Sequence, residues 1–298
     1  MEILTKILCL HFYSFINMMI FSKKMDLIDY LTSNGNQNKI GFVPTMGALH
    51  LGHLTLLKAS VAENDTTVIS IFVNPTQFNN PDDLNKYPRN LDADIDKILS
   101  VSDKILVYAP DIFDIYGDNT KSGKFDFDGL EYQMEGKHRP GHFDGVGTIV
   151  KKLFAIVQPT NAYFGEKDFQ QLQIIRKLVE KLKLPIKIIQ VPVFREENGL
   201  AMSSRNERLS DSERYDAAII YKTLLQVGNI FESKTVREIK KWVENYFTTN
   251  KDFELEYFEI ADEITLIPCR RKARNKKYRA FIAVNVKGVR LIDTKALN

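Results

Sequence analysis

Short apolar runs alternate with longer stretches of helical apolar spacing over the first two thirds of the chain. Strands are predicted at residues 39–43, 66–73, 104–108, 162–164 and 186–191. Helices are predicted between them at residues 54–62, 91–101, 148–157 and 170–182. This alternation predicts an α/β fold with a parallel sheet that is covered by helices on both faces. In such sheets ligands bind beyond the carboxyl ends of the strands.

The pattern changes after about residue 193. Two helices are predicted at residues 211–231 and 235–247, and strands at residues 253–260 and 278–293. This order favours a second, smaller α+β domain. We therefore divide the chain into an N-terminal extension of unknown role (1–17), a main domain (18–193) and a smaller C-terminal domain (194–298). Seven of the ten residues from Arg270 to Arg279 are basic, and we interpret this stretch as a solvated loop.

Composition excludes several classes of protein. The 298 residues are 44% hydrophobic and 27% charged, which is enough apolar material for a core. The net charge of +3 gives no reason to expect nucleic acid or a membrane as a partner. Two cysteines, Cys9 and Cys269, exclude a disulfide scaffold and favour a reducing, cytoplasmic location.

The apolar stretch at residues 7–21 is the nearest approach to a membrane span or a signal peptide. It is shorter than a span, it is interrupted by His11 and Asn17, and no small-residue cleavage site follows it. We expect either an amphipathic leader or a true start at Met18 or Met19.

The loop after the first predicted strand carries the strongest chemical signal. It reads PTMGALHLGH at 44–53 and places His50 and His53 at the beginning of a helix. A helix N-terminus offers free N–H groups and partial positive charge to a phosphate. Two imidazoles there could donate hydrogen bonds to phosphate oxygens during phosphoryl or nucleotidyl chemistry. Local capping or packing is the alternative for each histidine.

Two further loops carry polar side chains suited to a small acidic substrate. Asn74 and Gln77 follow the second strand and could bind hydroxyl and carboxylate oxygens, although the segment could also be an Asn-Pro turn. Glu135 and Arg139 belong to a loop in which the arginine could clamp an anion and the glutamate could orient a base or an amine. A solvated loop is the alternative there.

Two more loops suit a polyphosphate. Lys167 could reach a phosphate, and Asp168 could cap the following helix or bind a ribose hydroxyl or a metal. The segment 199–206 combines a glycine, two hydroxyls and an arginine that can fork over two oxygens. A surface lysine and a plain Ser-Ser turn are the alternatives. The sequence has no Walker A loop, no GxGxxG and no GxSxG.

Taken together, the motifs resemble those of the pantoate–β-alanine ligase family. They are PTMGALHLGH (44–53), FVNPTQF (72–78), YPR (87–89), RPGHFDGV (139–146), YFGEKDFQQ (163–171) and GLAMSSRN (199–206), with a further match at 290–293. They occur in the family's order from about Met19 onwards.

The resemblance implies a Rossmann-like, doubly wound nucleotidyltransferase fold of the HIGH type with a smaller C-terminal domain, in a cytoplasmic homodimer. It also implies the reaction. Pantoate attacks the α-phosphorus of Mg-ATP to give pantoyl adenylate and pyrophosphate, and β-alanine then attacks the acyl carbon to release AMP and pantothenate. Mg²⁺ is the implied cofactor, with ATP as co-substrate.

Site residues follow from the resemblance position by position. His53 corresponds to the family's proton donor, and His50, Lys167 and Arg205 complete the predicted catalytic set. The predicted ATP-binding residues are Met46, Gly47, Ala48, Leu49, His50, Leu51, Gly52, His53, Gly165, Glu166, Lys167, Asp168, Phe194, Met202, Ser203, Ser204 and Arg205. Those predicted to bind pantoate or β-alanine are Asn74, Gln77, Glu135, Arg139 and Gln171. Asp94 is the predicted metal ligand.

Two other functions remain compatible with the residues. A nucleotidyltransferase of the same fold would leave the nucleotide on its product, so release of AMP only with an amine acceptor distinguishes the ligase. A nucleic-acid-binding protein would use the basic stretch 270–279, and its binding would depend steeply on salt.

Overall fold

The structure is a computed structural model, and it describes residues 18–35, 38–250 and 252–298. The predicted N-terminal extension, residues 1–17, lies outside the described residues. The strands are β1 (Ile20–Phe21), β2 (Ile40–Thr45), β3 (Thr66–Ile71), β4 (Leu106–Tyr108), β5 (Asn161–Gly165), β6 (Lys187–Val191), β7 (Phe253–Asp262), β8 (Tyr278–Val286) and β9 (Val289–Ala296).

The α-helices fall mostly between these strands. They are Lys24–Gly35, Leu51–Glu63, Pro81–Asn85, Leu91–Leu99, Ile112–Tyr116, Met134–His138, His142–Val157, Phe169–Leu182, Asp211–Asp216, Ile219–Ile230 and Val236–Thr248. Among the described residues, no helix is both long and apolar enough to cross a membrane.

Six parallel strands form the main sheet in the order β1-β4-β3-β2-β5-β6. The chain adds strands on one side of β2 and then returns to add β5 and β6 on the other side. The strand order therefore reverses between β2 and β5. In an open α/β sheet the loops that leave the strands diverge at such a point and form a crevice.

Consecutive side chains of the central strands enter opposite cores. Phe42 and Val68 join the apolar cluster on one face of the sheet, whereas their neighbours Val43 and Ile69 join the cluster on the other face. Because both faces are covered, the strands read as continuous apolar runs. The predicted α/β fold with helices on both faces is confirmed.

The C-terminal part contains the antiparallel sheet β7-β8-β9, packed against the helices Ile219–Ile230 and Val236–Thr248. A smaller α+β unit is confirmed, but residues 278–293 are not one strand. Lys287 and Gly288 have φ values of +49° and +83°, and they form the two-residue turn between β8 and β9. The boundary at residue 193 stays a prediction.

Two predicted helices have different bounds in the structure. Residues 211–231 form two helices, interrupted at Ala217 and Ala218, rather than one. The helix predicted at 148–157 begins earlier, at His142, since the glycines in its first turns mask its helical pattern.

The basic stretch 270–279 is only partly a solvated loop. Lys272 donates hydrogen bonds to the carbonyls of Glu232 (3.3 Å) and Lys234 (2.9 Å), just beyond the end of the helix Ile219–Ile230. Arg279 is buried and pairs with Glu166 and Glu263. The charge of these two residues is therefore used within the fold.

Candidate active site

A cleft of about 230 Å³ opens where the strand order reverses, at the carboxyl ends of β2 and β5. Fifteen of the predicted site residues line it: Met46, His50, Gly52, His53, Asn74, Gln77, Gly165, Lys167, Asp168, Gln171, Phe194, Met202, Ser203, Ser204 and Arg205. Five separate segments of the chain therefore meet in one cavity.

The two histidines of the loop after β2 face each other. Their rings stack with centroids 4.0 Å apart and planes inclined by 28°. The backbone N–H of His50 donates to Nδ1 of His53 at 3.2 Å, so the proton of the neutral His53 ring is on Nε2. Nδ1 of His50 is buried and has no hydrogen-bond partner among the described residues. Unpaired buried polar atoms are rare, and here one lies in a residue that lines a cleft.

Both imidazoles are neutral at neutral pH. Burial, followed by the proximity of His53 and Lys167, lowers the pKa of His50 to about 2. Burial, together with the positive charges of Lys167 and Lys97, lowers the pKa of His53 to about 4. The pair is therefore a set of neutral hydrogen-bond donors and acceptors in a positively charged surrounding, which suits a polyphosphate.

Asp94 supports the histidine loop from behind. Its carboxylate accepts hydrogen bonds from the backbone N–H of Ala48 (3.0 Å) and Leu49 (2.7 Å), and the residue is buried. Gly47 has a φ of +77°, and a side chain there would begin 2.9 Å from Oδ2 of Asp94. Both carboxylate oxygens of Asp94 are bonded to the loop backbone and the residue does not line the cleft, which argues against the magnesium role expected of it. That role stays a prediction.

Five other predicted ATP-binding residues lie in the same loops but outside the cleft lining. Gly47 lies next to Asp94, Ala48 and Leu49 are buried, and Leu51 is about half exposed (51%). Glu166 turns towards the C-terminal part and pairs with Arg279 at 2.7 Å. The backbone of these residues shapes the site, whereas their side chains do not line it.

Lys167 and Asp168 enter the cleft just after β5. The Nζ atom of Lys167 lies 3.2 Å from a carboxylate oxygen of Asp168, and the lysine side chain is only 17% exposed. The ammonium group of Lys167 therefore lies at the wall of the cleft. It is close enough to His50 and His53 to lower the pKa of both imidazoles.

The segment Ser203–Arg205 closes the other wall. Ser204 donates a hydrogen bond to the carbonyl oxygen of Ala48 at 2.9 Å and so joins this segment to the histidine loop. Arg205 pairs with Asp83 at 2.8 Å. Tyr87, a residue without a predicted role, is buried and also lines the cleft. Its motif, YPR, was the available signal.

Amide groups line the end of the cleft beside Met46. Asn74 is almost fully buried, and its Nδ2 donates to Oε1 of Gln77 at 3.0 Å. The hydroxyl of Tyr116 donates to Oδ1 of Asn74 at 2.6 Å and fixes the orientation of that amide. The Nε2 of Gln77 lies 3.1 Å from the sulfur of Met46. The hydrogen bonds from Tyr116 to Asn74 and from Asn74 to Gln77 thus fix the orientation of the Gln77 side-chain amide.

Glu135 and Arg139 are not part of the cleft lining, and they border a smaller cavity of about 60 Å³ beside it. Arg290 binds both oxygens of Glu135 (2.7 and 2.8 Å), and Tyr257 donates to one of them at 2.7 Å. Burial opposes ionisation, but Arg290 and Tyr257 lower the pKa of Glu135 to about 2. Its carboxylate is committed to protein partners, which argues against the direct substrate contact expected of it.

Comparison with known proteins agrees with this geometry. The sequence model of the family described as pantoate-beta-alanine ligase matches residues 19–296. Pantothenate synthetase of Flavobacterium psychrophilum is 61% identical over 281 residues, which are 94% of this chain and 100% of that protein. Pantothenate synthetase of Christiangramia forsetii is 51% identical, with 94% and 100% covered.

Solved structures extend the similarity to the fold. The crystal structure of pantothenate synthetase from Thermus thermophilus superposes with a TM-score of 0.85 at 36% identity, over 94% of this chain and 99% of that one. Pantoate-beta-alanine ligase from Francisella tularensis, complexed with beta-gamma ATP and beta-alanine, superposes with a TM-score of 0.78 at 37% identity, over 94% and 98%. With its cleft, its motifs and these relatives in agreement, the chain belongs to the pantoate–β-alanine ligase family.

Proposed function

We propose that this cleft performs both half-reactions of an ATP-dependent ligase. A carboxylate of pantoate attacks the α-phosphorus of ATP, and the bond to the β-phosphate breaks to release pyrophosphate. The amine of β-alanine then attacks the acyl carbon of pantoyl adenylate, loses a proton and displaces AMP. Activation is needed because a free carboxylate is a poor acyl donor. The single observation that carries the proposal is the pair of stacked, neutral imidazoles at a helix N-terminus inside the cleft.

The triphosphate would lie between the histidine loop and Lys167. The His53 ring can donate from Nε2, and Lys167 and Arg205 contribute positive charge from the other walls. These groups stabilise the charge that moves onto the pyrophosphate as the bond to the α-phosphorus breaks. Positioning and charge stabilisation are sufficient, so no covalent enzyme intermediate is required.

The organic substrates would occupy the amide-lined end. Gln77 presents a directed amide N–H, and Gln171 lines the same cavity from the first turn of the helix Phe169–Leu182. Uncharged amides suit the hydroxyl and carboxylate oxygens of pantoate without competing for the phosphorus. Asn74 would orient Gln77 and not bind the substrate itself, because both the nitrogen and the oxygen of its amide are bonded to protein groups.

Magnesium would enter with ATP as part of the substrate. Within the described ranges, no group of three or more histidine, cysteine or acidic side chains could hold a metal ion. Mg²⁺ commonly binds through phosphate oxygens and water with few protein ligands, which fits such a site. We also propose that the enzyme is a cytoplasmic homodimer, which the family resemblance implies; sedimentation velocity would test its dimeric state.

A two-component assay tests the proposed function. The protein is mixed with ATP, Mg²⁺ and pantoate, with and without β-alanine, and both pyrophosphate and AMP are measured. We expect pyrophosphate in an amount close to that of the enzyme without the amine, and continuous release of AMP and pantothenate with it. Release of AMP without β-alanine, or a nucleotide that stays on the final product, would contradict the ligase.

A further inference from the structure

The C-terminal part contacts residues beside the active-site cleft through a partly buried ion pair. Arg290 lies in β9, and its guanidinium binds Glu135 through two parallel hydrogen bonds of 2.7 and 2.8 Å. Glu256 accepts a hydrogen bond from Nε of Arg290 at 2.7 Å, and the hydroxyl of Tyr257 donates to Glu135 at 2.7 Å. A forked, fully hydrogen-bonded pair of this kind fixes direction as well as distance.

The contacts continue from Glu135 towards the substrate pocket. A carboxylate oxygen of Glu135 lies 3.5 Å from Nη1 of Arg139, one helical turn further on. Nη2 of the same arginine donates to the main-chain carbonyl of Gln77 at 3.3 Å. Arg139 therefore connects the ion pair of the C-terminal part to the backbone of a residue that lines the cleft.

His142 completes the connection and has a defined tautomer. Its Nδ1 lies 2.8 Å from the carbonyl oxygen of Gln77, and because a carbonyl only accepts, Nδ1 carries the proton. Its Nε2 is then an acceptor, and Nη1 of Arg139 lies 3.3 Å from it as the donor. Burial, with the charge of Arg139, lowers the pKa of His142 to about 4, so the ring stays neutral.

Gln77 is thus held from two sides. His142 and Arg139 fix its carbonyl, whereas Asn74 fixes its side-chain amide. The three-residue turn that contains it, Pro75–Gln77, is closed by a backbone hydrogen bond from the N–H of Phe78 to the carbonyl of Pro75 (3.3 Å). Further hydrogen bonds run from the N–H (3.4 Å) and the hydroxyl (3.1 Å) of Thr76 to the side chain of Asn74. The geometry of the turn therefore depends on neighbouring side chains.

We propose that Glu135 is a positioning residue. Arg290 and Tyr257 hold its carboxylate, and Glu135 in turn holds Arg139 and His142 against the backbone of Gln77. The amide-lined end of the cleft is therefore fully formed only when the C-terminal part is docked. This inference rests on the proposed function for the identity of the substrates. It assigns Glu135 an action through other residues instead of contact with pantoate or β-alanine.

Steady-state kinetics of Glu135→Gln distinguish positioning from general stabilisation. Glutamine fills the same volume but binds Arg290 and Arg139 without charge, so the restraint on Gln77 weakens. We expect the KM for pantoate or β-alanine to rise about tenfold, while the KM for ATP stays within about twofold. Arg290→Lys, which keeps the charge but loses the fork, should change the same KM values in the same direction.

The matched control is Lys240→Gln. Lys240 makes two hydrogen bonds, of 2.8 and 2.9 Å, to Glu259 in the same C-terminal unit and borders neither cavity. This variant should leave all three KM values unchanged. Equal rises for all three substrates in Glu135→Gln, or no rise for any, would overturn the proposal.

Amide hydrogen exchange gives a readout that does not depend on the reaction. In Glu135→Gln we expect residues 72–78 to exchange about tenfold faster, with exchange in the helix Leu51–Glu63 unchanged. Unchanged exchange at 72–78 would overturn the positioning role. Failure of the wild-type protein to make pantothenate would overturn the proposed function alone, because the exchange result would still stand.

Discussion

His53 occupies a position where its protonation is set by the backbone. Since the N–H of His50 donates to Nδ1 of His53, the single proton of the neutral ring is on Nε2. Burial lowers the pKa of the ring and so keeps it from taking up a second proton. A neutral imidazole can still donate a hydrogen bond to a phosphate oxygen, and it does so without the desolvation cost of a buried cation. Its proposed role is therefore that of a fixed donor.

Substitutions at His53 test which atom donates. His53→Ala should lower kcat by about 10²–10³, the typical loss when one transition-state donor is removed. Glutamine can place an N–H near the position of Nε2, whereas the shorter asparagine places it nearer to Nδ1. We expect His53→Gln to retain more activity than His53→Asn, in pyrophosphate-release assays at saturating substrates. Equal activity of Gln and Asn variants, or near-wild-type activity of the alanine variant, would contradict the assigned donor.

At the level of elements, the loop after β2 is held by the first turn of the helix Leu91–Leu99. Asp94 in that turn accepts from two backbone N–H groups of the loop, and Ser204 donates to the carbonyl of Ala48. Three segments that are distant in sequence therefore determine where the imidazoles lie.

Asp94 gives a prediction that separates loop support from metal binding. Asp94→Asn keeps one acceptor oxygen but loses the charge and one loop hydrogen bond. We expect a rise in the KM for ATP of about tenfold, because one charge-assisted hydrogen bond is worth about 1.5–3 kcal/mol. The Mg²⁺ concentration at half-maximal rate, measured at saturating ATP, should stay unchanged. A large increase in the Mg²⁺ requirement would instead restore the metal role.

A second element-level constraint is the packing of the helix His142–Val157 on the turn Pro75–Gln77. A Cβ on Gly145 would lie 2.3 Å from the carbonyl oxygen of Thr76 and 2.7 Å from the Cα of Gln77. Neither is a flexible side-chain end that could move away. Only glycine allows this approach.

Gly145→Ala should therefore destabilise the fold by about 1–3 kcal/mol, the usual cost of overpacking. Urea unfolding measures the change. The control is Gly228→Ala in the helix Ile219–Ile230, where a Cβ would approach only the end of the Lys295 side chain (3.1 Å). That variant should be neutral or slightly stabilised, because alanine favours the helix. Equal losses in both variants would mean that backbone contact at Gly145 is not the cause.

For the whole molecule, the buried imidazoles make stability depend on pH. The pKa values of His53 and His142 are lowered to about 4, and that of His50 to about 2, whereas an unfolded chain titrates near 6.5. Between pH 7 and pH 5 the unfolded state takes up these protons and the folded state does not. Lowering the pH over this window therefore favours unfolding.

We expect the free energy of unfolding to fall by about 1–2 kcal/mol for each of the three imidazoles between pH 7 and pH 5. Urea unfolding at both pH values measures the change in the free enzyme. His53→Gln removes one titrating group. The free energy of unfolding of this variant should therefore fall less between pH 7 and pH 5, by the contribution of one imidazole. A wild-type stability that is equal at the two pH values, or a variant with the same loss as wild type, would contradict the buried neutral rings.

Local sequence was sufficient for most of the fold. The runs that form β2 and β3 are rich in β-branched residues, and those of β2 to β5 are short and mostly buried, so their pattern identifies them. The sequence predicts too short a helix at His142–Val157. The reason is that glycines, one of which allows close approach to the turn Pro75–Gln77, lower the helical signal of its first turns. The break at residues 217–218 and the turn at Lys287–Gly288 were missed, since apolar periodicity continues across them.

The sequence by itself determined the strand–helix order, the loops that carry histidines, amides and cations, and the family. Only the tertiary structure decided which side chains are free to meet a substrate. Asp94, Glu135 and Glu166 looked available in sequence, but each carboxylate is bound by groups at least 45 residues away. The reason is physical: a residue's type states what it can bind, whereas its partners depend on which segments the sheet order brings together.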